Sequence, residues 1–371
     1  HRNLTQIAEK EARAVEFSNI NNAIPPADEA AAAACRQRWD AVAKPLKSLG
    51  KLEDALIKVA ALTGSADIAL SPRVLLVVCA DNGVVREGVA QSDESVTRKV
   101  AQSLHRHTSP VCCMADVAHC RVLPVDVGMA MPVENVRDLR VRAGTGDIAR
   151  GPAMTREDAE AAIKAGIRLS EEQAAHGVKL LAAGEMGIGN TTTSAAVACA
   201  LLGLSPEAAA GRGAGLSDRG LARKRAVLKM ALAQNRPDAR DPLDVLAKVG
   251  GLDLAALCGV YLGAAMSRVP VLLDGFISAV AALLAVRLCP RAAGAMLASH
   301  LSTEPAAAAV LKALSLSPFL CAGMHLGEGT GAVAAMPLLD MALAVYQAAG
   351  SFAQIGMAPY TPQEGALCTR S

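Results

Sequence analysis

Apolar positions along this chain gather into short unbroken runs, and several of these runs end on a glycine-bearing polar turn. Residues 74–80, Val-Leu-Leu-Val-Val-Cys-Ala, carry no helical period and predict a strand covered on both faces, as in a parallel sheet. That run ends in Asp81-Asn82-Gly83, a turn at a strand's carboxyl end, where open α/β sheets place their ligands. Residues 122–128 predict a second strand, again closing on Asp126 and Gly128, and residues 269–273 repeat the pattern before Asp274-Gly275. A further short strand at 178–183 leads through the glycine turn of residues 184–189 into Ala- and Leu-rich helical sequence.

Between these runs the pattern turns helical. Pro25-Pro26 ends an N-terminal helix, and a second begins near Asp28-Glu29-Ala30 with acidic residues in its first turn. Thr155 with Asp158 predicts a variant capping box opening another helix. A glycine-rich loop at 211–218 precedes a basic helix holding Arg223, Lys224 and Arg225, and the loop at 324–331 leads into a helix through Tyr346. Ala298-Ser299-His300-Leu301-Ser302 reads as a polar turn. The expected fold is α/β, a Rossmann-like parallel sheet with helices on both faces. Residues 1–70 and 345–371 are predicted to form a smaller helical domain, and residues 71–344 the nucleotide-binding and catalytic domain. No internal repeat is visible.

Composition sharpens this picture. Of 371 residues 52% are apolar but only 2% aromatic, so the core must be built from Ala, Leu and Val; with 31 Gly this favours closely packed helices over an all-β sandwich. The net charge of +2, without a basic block, gives no support to nucleic-acid binding. Two long uncharged stretches, 186–206 and 341–363, are interrupted by Gly, Pro or polar residues, so no membrane span is expected. Ten scattered Cys without a Cys-x-x-Cys pair read as reduced thiols of a cytoplasmic protein. The chain opens on His1, read as a trimmed end, with no signal peptide in view.

The densest chemistry lies at Gly184-Glu185-Met186-Gly187-Ile188-Gly189-Asn190-Thr191-Thr192. A helix start offers free N–H groups and the positive end of its dipole, with hydroxyls alongside, which suits a phosphate. Gly187, Gly189, Asn190, Thr191 and Thr192 are the phosphate candidates, and Lys224 supplies a countercharge; taken alone, Lys224 reads as a solvated helix face. Glu185 and Glu328 sit in matching glycine-flanked settings, Gly184-Glu185-Met186-Gly187 and Gly327-Glu328-Gly329. A carboxylate at a partly dry helix mouth can serve as general base, a role contributing about 10²–10⁴ in rate. The third glycine of a dinucleotide fingerprint is missing, no Walker lysine follows, no Asp cluster suggests magnesium, and the seven His lack zinc spacing with Cys. The chemistry reads as metal-free, with no cofactor.

The segment 184–192, together with residues 244–251, Leu273-Asp274-Gly275-Phe276 and Leu326-Gly327-Glu328-Gly329-Thr330-Gly331-Ala332, resembles the nicotinate-nucleotide:dimethylbenzimidazole phosphoribosyltransferases of cobalamin assembly. Asp81-Asn82-Gly83-Val84, Glu87-Gly88-Val89, Val96-Thr97 and Gly151-Pro152-Ala153-Met154-Thr155 extend the resemblance over roughly residues 40–355. It implies transfer of ribose 5-phosphate from nicotinate mononucleotide to a lower-ligand base, releasing nicotinate and giving an α-linked product. Glu328 would then be the base and Glu185 its neighbour; Lys224, Ser302 and the 187–192 turn would bind phosphate and ribose, with Gly213 near the phosphate. Asn82, Ala90, Lys99 and Leu326 fall where the resemblance places the incoming base. There the chain departs from the pattern, since the family usually has His for Asn82, often Ser for Ala90 and Gln near Lys99. Close relatives transfer to phenol or p-cresol, some as paired non-identical subunits. The resemblance thus implies an active dimeric enzyme, or alternatively a non-catalytic nucleotide-binding partner subunit in a heterodimer.

Overall fold

The computed structural model describes residues 20–361. Its strands are β1 (Arg73–Ala80), β2 (Arg121–Gly128), β3 (Arg137–Asp138), β4 (Leu180–Met186), β5 (Val271–Leu273) and β6 (Met296–Ala298). They form one six-stranded sheet in the order β3-β2-β1-β4-β5-β6, every neighbouring pair parallel. This is the strand order of doubly wound nucleotide-binding folds. The order reverses between β1 and β4, and the crevice beyond their carboxyl ends is the natural ligand site.

The unbroken apolar runs follow from burial on both sides. Along β1, Val74, Leu76, Val78 and Ala80 enter one apolar layer, while Leu75, Val77 and Cys79 enter the other. Helices α1 (Glu29–Ala41), α2 (Lys51–Thr63), α3 (Ser95–His105) and α4 (Pro110–Val117) cover the second face. The first face is covered by α5 (Arg156–Ala175), α6 (Asn190–Leu202), α7 (Asp218–Asn235), α8 (Pro242–Val249), α9 (Leu252–Met266) and α10 (Phe276–Leu288). A final helix, α11 (Thr330–Ala348), returns to the second face.

Small residues let these helices approach closely. At the crossing of α5 and α9, a Cβ on Gly166 would run into the backbone of Ala256, and one on Gly259 into that of Ile163. The near absence of aromatics is thereby met by backbone proximity rather than by side-chain bulk.

The expected caps form. Asp28 accepts from the Ala31 amide at 2.9 Å to start α1, and Thr155 and Asp158 make the reciprocal box that starts α5. Helices α1 and α2 share their apolar layer with β1 and α11. Residues 1–19 and 362–371 of the expected smaller domain lie outside the described residues, and of the N-terminal helix only Ile20–Ala23 is described. Helix α11 is long and apolar enough to cross a membrane by length and composition; here Val333, Met336, Leu339 and Tyr346 pack it onto the core.

Two short strands, β3 and β6, lie where no strand is expected from sequence. They have two and three residues, too few to leave an apolar run.

Candidate active site

The sequence predicts that β4 ends before the glycine turn. In the structure it continues through Gly184, Glu185 and Met186, because these residues pair with β1, Val78 opposite Glu185 and Cys79 opposite Met186. Glu185 is therefore a strand residue, and only 6% of its surface is exposed. Asn190, the first residue of α6, donates from Nδ2 to Glu185 Oε2. Burial, reinforced by Asp253 and Asp274, pushes the Glu185 carboxyl up to about 8. At neutral pH Glu185 is mostly protonated, which argues against it as the proton acceptor.

Glu328 lies beside it, on the loop that rests against β4. Its backbone is left-handed (φ 59°), between Gly327 (φ 88°) and Gly329 (φ 89°), a conformation that a non-glycine residue holds only when its surroundings enforce it. The enforcement comes from Asp274, at the end of β5. Its carboxylate accepts from the amides of Gly329 at 3.0 Å, Gly331 at 2.7 Å and Ala332 at 3.3 Å, satisfying the free start of α11. Gly184 completes the arrangement. A Cβ there would lie 2.7 Å from the Glu328 carbonyl oxygen and 2.7 Å from the Gly329 nitrogen, so the bare glycine lets the loop rest on β4. Burial raises the Glu328 carboxyl above the usual range, while a hydrogen bond from Ser109 opposes the shift. The two glutamates thus have different environments, the more accessible one being the better acceptor.

Both line a cavity of about 250 Å³ at the carboxyl ends of the strands. Of the expected residues it is lined by Glu185, Glu328, Gly187, Gly189, Asn190, Thr191, Gly213, Ser302, Ala90 and Leu326. Lys224 stands one layer behind, fully buried, with Nζ donating to Thr191 Oγ1 at 2.8 Å. Burial lowers this lysine to about 8, and Glu304 partly counters the shift. Beside it, the Gly213 amide donates to Glu304 Oε1 at 3.0 Å. The start of α6, the Thr191 hydroxyl and the Lys224 ammonium behind it make this end of the cavity an anion seat, with the Glu304 carboxylate holding the Gly213 loop beside it.

Three expected residues fall elsewhere. Thr192 is buried in the first turn of α6, away from the cavity lining. Asn82 is also buried, donating to Asp253 Oδ2 at 3.1 Å, so it braces α9 rather than lining the pocket. Lys99 is exposed on α3, and its neighbour Val100 lines the cavity. Conversely, sequence reasoning passes over Ser109, Asp253, His300 and Glu304. Of these, His300 and Glu304 line the cavity. Both follow β6, a strand too short to announce the turn as a site.

Comparison with known proteins gives the family. The phosphoribosyltransferase family profile matches residues 24–357. The nicotinate-nucleotide–dimethylbenzimidazole phosphoribosyltransferase of Acetivibrio thermocellus is 45% identical over 330 residues, covering 88% of this chain and 94% of the relative. Its namesake from Chloroflexus aggregans is 44% identical over 339 residues, 91% and 96% of the two chains. The crystal structure of CobT from Thermus thermophilus superposes with a TM-score of 0.84 at 42% identity, covering 89% of this chain and all (100%) of that one. A match of this extent in sequence and fold shows that the chain belongs to the nicotinate-nucleotide–dimethylbenzimidazole phosphoribosyltransferase family.

Proposed function

We propose that the chain transfers ribose 5-phosphate from nicotinate mononucleotide to a benzimidazole-type base, with Glu328 as general base. The observation that carries this reading is that Thr191, backed by the buried Lys224, and Glu328 line one cavity. The nucleotide phosphate docks at the seat, with Ser302 and Asn190 beside the ribose. A ring nitrogen of the incoming base attacks C1′ of the ribose. The C1′–N bond to the pyridinium breaks, its electron pair passes to the ring nitrogen, and neutral-ring nicotinate leaves without an acid. The N–H proton of the attacking base passes to Glu328. Attack opposite the leaving group gives the α-linked product.

Ala90, Val100, Met186 and Leu326 give the base end an apolar lining. Both glutamates and the anion seat belong to one chain, which favours an active enzyme over a non-catalytic partner subunit. A homodimer is the assembly in keeping with this reading. The purified chain, incubated with nicotinate mononucleotide and a panel of benzimidazoles, purines and phenols, is expected to release nicotinate and yield a benzimidazole ribotide by mass. Turnover of phenols alone, or of no base at all, would overturn the proposal.

Lys224 gives the binding step a pH dependence. Its ammonium is lost above about pH 8 in the free protein, and a bound phosphate dianion favours the charged form. Nucleotide affinity is expected to hold steady below pH 8 and to weaken by up to about tenfold per pH unit above it. Titration calorimetry from pH 6.5 to 9.5 checks this, and a flat profile would remove Lys224 from the phosphate seat.

A further inference from the structure

Ser109 stands at the start of α4 with an extended backbone (φ −72°, ψ 151°), and its carbonyl accepts from the Cys112 amide at 2.9 Å, the geometry of a helix N-cap. A serine in that place ordinarily turns its hydroxyl back to accept from one of the next amides of its own helix. Here no such bond forms. The hydroxyl instead donates to Oε2 of Glu328, and Ser109 itself is 2% exposed. Helix α4 packs against α11, which brings the two residues together from distant parts of the chain.

We infer that Ser109 is the positioning residue of the catalytic base, its hydroxyl holding the carboxylate of Glu328 in one orientation toward the cavity. The inference rests on the reading of Glu328 as base. Asp274 at the end of β5, Glu185 on β4 and Cys112 on α4 also bear on that carboxylate, and His300 beyond β6 and His325 in its own loop line the same cavity. Asp274 and Glu185, where charged, disfavour a further negative charge, as does burial. Ser109 is the side chain whose hydrogen bond opposes them, so it favours the ionised form that can take a proton.

The test compares Ser109→Ala, Ser109→Cys and Ser109→Thr in the full chain, using kcat/KM for the base against pH at saturating nicotinate mononucleotide. Ser109→Ala is expected to move the acid limb upward by about one pH unit. Activity below the limb then falls about tenfold, while the high-pH plateau stays within about threefold and nucleotide affinity is unchanged. Thr keeps the donor and is expected to restore the limb; Cys, a weaker donor of similar shape, gives an intermediate shift. An Ala limb that superimposes on the parent's overturns the proposal. So does a Thr variant that behaves as Ala, or nucleotide binding lost in all three variants. Glu328→Gln assayed in parallel separates the two levels: if it stays active the base assignment fails, whereas an inactive Gln variant beside an unshifted Ser109→Ala removes Ser109 alone.

Discussion

Glu328→Gln is expected to lower kcat by about 10²–10⁴ while leaving the affinity for nicotinate mononucleotide within about twofold. Glutamine keeps the size and an acceptor for Ser109, so the left-handed turn and its anchorage on Asp274 persist. What is lost is the ability to take a proton. The loss corresponds to about 3–5 kcal/mol of transition-state stabilisation. Glu185, buried and mostly protonated at neutral pH, is a poor substitute because its free energy of ionisation is already unfavourable. Steady-state rates with dimethylbenzimidazole, beside equilibrium binding of the nucleotide, check the split. Activity within a few-fold of the parent would show that the proton leaves by another route.

Gly184→Ala is expected to damage both stability and catalysis, from outside the cavity lining. The added methyl meets the Glu328 carbonyl and the Gly329 amide at 2.7 Å, both backbone atoms that cannot swing aside as a side chain would. Either β4 or the loop must shift, an overpacking cost of about 3 kcal/mol or somewhat more. For a chain of this length that lowers Tm by roughly 4 °C. A displacement of about 1 Å at the base can cost on the order of 10² in rate. Differential scanning calorimetry and kcat together test the point. A variant with parental Tm and rate would mean that the loop does not rest on β4.

Much of this architecture can be read in the sequence because burial on both faces leaves an unmistakable trace. Strands β1 and β2 announce themselves as long apolar runs ending in Asp or Gly, and the capping box at Thr155 is visible in its spacing. Strands β3 and β6 leave no such trace, being too short, and with β6 unread the turn holding His300 and Glu304 passes as a plain polar link. Local pattern puts Glu185 in a turn because Gly184 looks like a turn residue. The actual reason for that glycine, room for the loop of residues 327–329, is a contact between distant segments that local pattern cannot show. Asn82 and Lys99 illustrate the converse: residues that mark a departure from a family pattern need not lie on the surface that the pattern describes. Ser109 carries the signature of an ordinary helix cap, and only the folded chain shows its hydroxyl turned to Glu328.

The clamp of Asp274 on the start of α11 has one more consequence. Because the end of β5 and the loop bearing Glu328 are tied by three amides, the fold itself holds the base in place. Strength at the start of one helix thereby fixes where the proton can be taken up.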